Sequence, residues 1–73
     1  MNPLTAKKIA QILLANGLIL SRQKGSHQIY KNIFTGIIAP IPLHGKNKPL
    51  PFGTFLAIIK QSKIPKDRFS KHN

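Results

Sequence analysis

The sequence predicts a small two-layer α+β domain with the order α-β-β-β-α. Three observations support this fold class: two segments carry apolar residues at helical spacing, three short apolar segments lie between them, and turn residues separate those segments. The length of 73 residues suits a single domain over 1–73, with a core at about 5–64. Two helices on one face of an antiparallel sheet would leave its other face to solvent or a partner.

The first helix is predicted over Ala6–Ala15, with Thr5 as its N-cap and Asn16-Gly17 as its stop signal. The stretch Lys7–Leu20 has the basic start and apolar body of a signal peptide, but Gln11 and Asn16-Gly17 interrupt the body and no small-x-small cleavage site follows. The segment is also too short for a membrane span. We therefore expect a cytoplasmic protein with no membrane partner.

Three strands are predicted next, at residues 18–23, 27–32 and 37–41, joined by turns at 24–26 and 32–36 as an antiparallel meander. Prolines at 40, 42, 49 and 51 predict irregular chain, including a loop at residues 42–51. A second helix follows at 52–61. Pro65 is expected to open a short helical turn through Phe69, with Asp67 near its N-terminus.

The charge balance points to a polyanionic partner. Twelve Lys and Arg residues stand against a single acidic residue, Asp67, which gives a formal charge of +11. Such a field attracts nucleic acid, an anionic membrane or an acidic protein.

The missing residue types exclude most catalytic chemistries. One carboxylate cannot build a Mg²⁺ cluster or a glycosidase pair, and Asp67 lies too near the C-terminus to suit a Ser-His-Asp triad. The chain also lacks cysteine and the glycine patterns of nucleotide-binding loops. We expect no metal and no cofactor. RNA suits the remaining residues, because it supplies its own nucleophile, the 2′-OH, and needs only orientation, proton transfer and charge stabilisation.

His27 is the first candidate for proton transfer, since histidine titrates near neutral pH. Gly25 before it would let the backbone approach a phosphate, and Ser26 offers a hydroxyl donor. His44 lies in the proline-rich loop and is equally well explained as an exposed loop residue. The candidate RNA-binding residues flank these two histidines: Arg22, Lys24, Gly25, Ser26, Lys46 and Lys48.

The motif Gly25-Ser26-His27, followed by Gln28-Ile29-Tyr30-Lys31, resembles the Gly-Ser-His signature of HicA toxins. Ile41-Pro42-Leu43-His44 and the later Gly53-Thr54 are similar to the family's pattern as well, and the resemblance spans residues 5 to about 64. One departure is Ser62-Lys63, which stands where Ala-Gly is more typical.

This resemblance implies a fold like that of double-stranded-RNA-binding domains. It also implies the toxin of a type II toxin–antitoxin system, which cleaves mRNA without the ribosome and is neutralised by a HicB-type antitoxin. From the positive charge of the chain we expect that antitoxin to be acidic. The family's catalytic histidine corresponds to His27 and its common second histidine to His44.

Three alternatives remain at this stage. A non-catalytic module could bind duplex RNA by shape, with the same fold and charge. A membrane-active cationic peptide would use the basic, amphipathic segment Ala6–Ala15, although the predicted strands favour a folded core. The third is a toxin-like fold that serves only as a protein partner.

Overall fold

The computed structural model describes residues 2–43, 45 and 47–70. Helix α1 spans Ala6–Ala15, and strands β1 (Ile19–Lys24), β2 (His27–Lys31) and β3 (Ile38–Pro42) follow in a meander. Helices α2 (Phe52–Ser62) and α3 (Lys66–Ser70) complete this part of the chain. An α+β architecture with a three-stranded antiparallel sheet confirms the predicted fold class.

The caps of α1 are those that the sequence predicts. The Thr5 hydroxyl accepts a hydrogen bond from the Lys8 backbone N–H at 3.2 Å, which satisfies one of the free donors of the first turn. At the other end the Asn16 side-chain amide donates to the Ile12 carbonyl at 2.7 Å. Gly17 then takes a φ of +90°, and the chain turns towards β1.

Strand β2 lies in the centre of the sheet, between β1 and β3. The prediction that the loop begins at Pro42 is wrong, because Pro42 belongs to β3 and pairs with His27. Pro40 lies inside the strand predicted at residues 37–41 and pairs with Ile29. In an inner strand every backbone N–H faces a neighbouring strand, so a proline would leave a bond unmade; β3 is an edge strand, where one side has no partner, and it tolerates proline. The loop therefore begins one residue later than expected.

The core lies between the sheet and the helices. Phe55 of α2 and Phe69 of α3 are fully buried and pack edge to face, with ring centroids 6.2 Å apart. Fully buried residues join them from the other elements: Ile9, Leu13, Leu18, Ala39 and Ile41. The predicted helical turn near Phe69 thus contributes a core anchor.

Helix α2 ends one residue later than predicted, at the position where the sequence departs from the resembling family. The Ser62 hydroxyl is buried and donates to the Ile59 carbonyl at 2.8 Å. It also accepts from the Ile64 backbone N–H at 3.2 Å. Lys63 follows in the left-handed conformation with φ +61°, a position usually occupied by glycine.

Candidate active site on the open face of the sheet

Side chains alternate across β2, and this alternation separates two surfaces. Tyr30 is buried under the helices, so Gln28 and Tyr30 point to the helix side of the sheet. His27, Ile29 and Lys31 therefore point to the opposite surface, which no helix covers in the described part of the chain and which we call the open face. His27 is the first residue of β2 and is exposed there.

A β-bulge at Ser21 determines which residues of β1 share the open face with His27. Leu20 pairs with Tyr30, but Arg22, two residues later, pairs with Ile29, so Ser21 is an extra residue. Without the bulge, strict alternation would place Leu20, Arg22 and Lys24 on one face. With it, Arg22 and Lys24 turn to the open face.

His27 lies between a cation and a proline across the sheet. Its partner in β1 is Lys24 and its partner in β3 is Pro42. Directly opposite residues of antiparallel strands have Cα atoms about 4.5–5.5 Å apart, so the Lys24 ammonium can reach any anion that touches the imidazole. Arg22 lies beside them on the same face.

The turn before His27 is shorter than the predicted turn at residues 24–26, because Lys24 belongs to β1 and pairs with His27. Gly25 adopts a φ of +59°, as the first central residue of a two-residue type II′ hairpin requires. No heavy atom lies within 4 Å of the position that a Cβ at Gly25 would occupy, so a ligand can approach the backbone there. The Ser26 carbonyl accepts a 2.7 Å hydrogen bond from the Leu43 N–H, which ties the end of β3 to this turn.

Not all predicted RNA-binding residues share the open face. Lys48 is exposed but lines a groove on the helix side, together with Gln28. His44 and Lys46 lie outside the described residues, so their predicted roles stay predictions. Lys31, which is not one of the predicted RNA-binding residues, does lie on the open face. The period-two pattern of His27, Ile29 and Lys31 was the signal that could have found it.

The electrostatics of the open face suit an anion. The one acidic residue of the sequence, Asp67, lies on α3 and not on the sheet. Among the residues that the structure describes, no group of three or more His, Cys, Asp or Glu side chains could hold a metal ion. An imidazole can exchange a proton near neutral pH, and the ammonium and guanidinium beside it can stabilise developing negative charge.

Tyr30 contributes no charge to this site. Burial raises the pKa of its phenol, because the ionised form would lose hydration. The hydroxyl donates to Gln28 Oε1 at 3.5 Å on the helix side of the sheet. Tyr30 is therefore a neutral core residue behind His27.

Comparison with known proteins assigns the chain to a family. In the described part of the chain no helix has the length and apolar character needed to cross a membrane. A search of curated proteins finds no match. The model of the family described as "HicA toxin of bacterial toxin-antitoxin" matches residues 6–64, which include both α1 and α2 and the whole sheet. The chain therefore belongs to the HicA toxin family, whose members are the toxins of bacterial toxin–antitoxin systems.

Proposed function

We propose that this toxin is a metal-independent endoribonuclease that cleaves mRNA in the cytoplasm, with His27 as its proton-transfer residue. The observation that carries the proposal is the position of an exposed histidine between Lys24 and Pro42, at the end of a basic face that bears no acidic side chain. This combination suits a substrate that provides its own nucleophile and a negatively charged phosphate.

The reaction follows from these groups. The 2′-oxygen of the RNA attacks the adjacent phosphorus while its proton leaves, and the bond from phosphorus to the 5′-oxygen breaks as that oxygen gains a proton. His27 performs one of these proton transfers, and His44 is the candidate for the other. Lys24 and Arg22 stabilise the charge that grows on the phosphoryl oxygens. The products are a 2′,3′-cyclic phosphate and a 5′-hydroxyl.

RNA binding in this proposal centres on the turn before His27. Gly25 leaves its backbone open to a phosphate, and the Ser26 hydroxyl makes no hydrogen bond to the described residues. Lys46 and Lys48 would extend the contact along the loop that follows β3.

A toxin of this family has an antitoxin partner, and the charge of the chain indicates its chemistry. At +11 the protein attracts acidic proteins through long-range electrostatics. We propose a HicB-type antitoxin whose acidic side chains bind Arg22 and Lys24. Such a protein would cover His27, and this steric block is enough to stop cleavage.

The test is incubation of purified protein with mRNA in excess chelator. Wild-type protein is expected to cleave, to leave cyclic or 3′-phosphate ends, and to stop when its antitoxin is added. His27→Ala should lower the cleavage rate by about 100-fold or more, the usual contribution of a positioned acid or base. Because His27 is exposed, the His27→Ala protein should unfold at the same urea midpoint as wild type.

Phe34→Ser is the matched control, since Phe34 is 91 % exposed at the opposite end of the sheet and should keep full activity. Cleavage that persists in His27→Ala protein, or that chelator abolishes in wild type, contradicts the mechanism. Tight binding of duplex RNA without any cleavage would instead indicate the non-catalytic RNA-binding module.

A further inference from the structure

A second surface lies on the helix side of the sheet, behind His27. It is an open groove of about 1240 Å³ between α1, the β1–β2 hairpin and the loop that follows β3. Pockets for a single small ligand are typically about 300–1,000 Å³, so the groove has room for more than one nucleotide-sized group. Its polar lining residues define what we call the carboxamide groove: Lys7, Gln11, Gln23, Gln28, Asn47 and Lys48.

The lining of this groove combines carboxamides, lysines and apolar side chains. Four of its side chains are carboxamides, two are lysines and, among the described residues, none is acidic. Apolar side chains of α1 and of the chain after β3 complete it: Ala6, Ala10, Leu14 and Leu43. A planar group could therefore lie on apolar atoms while its edge meets carboxamides and its charge meets lysines.

The carboxamides retain most of their hydrogen-bonding capacity. Gln28 accepts one long bond, 3.5 Å from the Tyr30 hydroxyl, and Gln23 donates one of 3.3 Å to the Gly25 carbonyl. The Gln11 and Asn47 side chains make no hydrogen bond to the described part of the chain. Each carboxamide presents a donor beside an acceptor, which matches the paired donor and acceptor on the edge of a nucleobase.

The groove adjoins the proposed active site through the hairpin itself. Gln23 and Gln28 form a cross-strand pair next to the pair of Lys24 and His27, on the opposite surface of the sheet. Only the two-residue turn separates these surfaces at this end, and the space around Gly25 is open. A single strand that passes around the turn can touch His27 with a phosphate and the groove with a neighbouring base.

We propose that the carboxamide groove binds one or more bases of single-stranded RNA beside the cleaved phosphate and sets the base preference of the toxin. This inference rests on the proposed ribonuclease function and adds the part of the substrate that is recognised. Gln28 and Gln11 read the base edge, the apolar side chains contact its face, and Lys7 and Lys48 bind the flanking phosphates.

The experiment separates base recognition from cleavage. The His27→Ala protein is titrated with fluorescent hexaribonucleotides of A, C, G and U, and the four Kd values are measured. We expect the best and the worst base to differ by about tenfold, within the range of discrimination that one bidentate carboxamide contact provides. Adding Gln28→Leu or Gln11→Leu should reduce this ratio to about twofold or less.

Two controls keep the test decisive. Gln61→Leu removes an exposed carboxamide of α2 that does not line the groove, and it should leave the ratio unchanged. Gln28 is half-buried, so the exposed Gln11 provides a second variant whose fold should persist. Equal affinity for all four oligonucleotides, or a ratio that neither variant reduces, overturns the inference.

The outcome also distinguishes this inference from the function on which it rests. If wild type cleaves RNA with a base preference that neither glutamine variant changes, the ribonuclease function stands and base recognition by the groove is contradicted. If the wild-type protein never cleaves RNA but shows a base preference that depends on the groove, base binding in the groove is supported and the ribonuclease function is contradicted.

Discussion

The two turns at opposite ends of β2 differ in length, in chemistry and in what holds their shape. The basic turn, residues 25–26, is a two-residue hairpin turn, and Ser26 and the flanking pair Lys24 and His27 expose polar side chains there. The apolar turn, residues 32–37, exposes Ile33 at 65 % and Phe34 at 91 %. One sheet thus has an end suited to anions and an end suited to apolar contacts.

The apolar turn is held by its own side chains. Asn32 Oδ1 accepts from the backbone N–H groups of Phe34 and Thr35 at 2.9 and 3.1 Å, and Thr35 Oγ1 accepts from Ile37 N–H at 3.2 Å. The basic turn is held by the strand ladder, a glycine, a backbone bond from Leu43 and one long bond of 3.3 Å from the Gln23 side chain to the Gly25 carbonyl. The Ser26 hydroxyl makes no hydrogen bond to the described residues and can meet a ligand, whereas Asn32 and Thr35 of the apolar turn bond to its backbone.

The largest expected difference between the turns is in stability. Asn32→Ala should lower the free energy of unfolding by about 1 kcal/mol, because two backbone N–H groups lose their acceptor. Ser26→Ala should change it by less than about 0.5 kcal/mol, because the Ser26 hydroxyl makes no hydrogen bond to the described residues. Urea denaturation measures both, and equal losses would contradict the comparison.

A smaller difference is expected in the salt dependence of RNA binding. Lys24→Gln should reduce the slope of log K against log salt on single-stranded RNA by about 0.7, the value for one lost phosphate contact. Lys31→Gln is the control at the other end of β2, about 13 Å from His27 along the strand and beyond the range of unscreened attraction. Fluorescence anisotropy at several salt concentrations measures the slopes. The same reduction for both lysines would mean that RNA covers the whole open face.

The smallest effect is expected at Tyr30, between the two turns. Its pKa is raised by burial above the value of about 10 in the unfolded chain, so the folded state holds the phenolic proton more tightly. This contribution to stability is complete below pH 10 and is lost as the pH rises through the raised pKa. Tyr30→Phe should show a smaller fall in urea midpoint above pH 10 than wild type. Identical pH profiles would contradict a Tyr30 pKa that differs between the folded and unfolded states.

Local sequence signals determined the element order, because each of them acts within a few residues. The caps of α1 at Thr5 and Asn16, the glycine of the basic turn and the place of His27 at the start of a strand all depend on near neighbours. The lack of carboxylates also limited the possible chemistry, because composition does not depend on the fold.

The tertiary structure decided which side chains meet. The bulge at Ser21, which turns Arg22 and Lys24 to the face of His27, exists only in the register between β1 and β2. Pro40 and Pro42 fit a strand because β3 lies at the edge of the sheet, a position that no local pattern states. The carboxamide groove combines residues of α1, the β1–β2 hairpin and the loop after β3. Contacts between residues distant in the chain depend on packing, which local propensity does not encode.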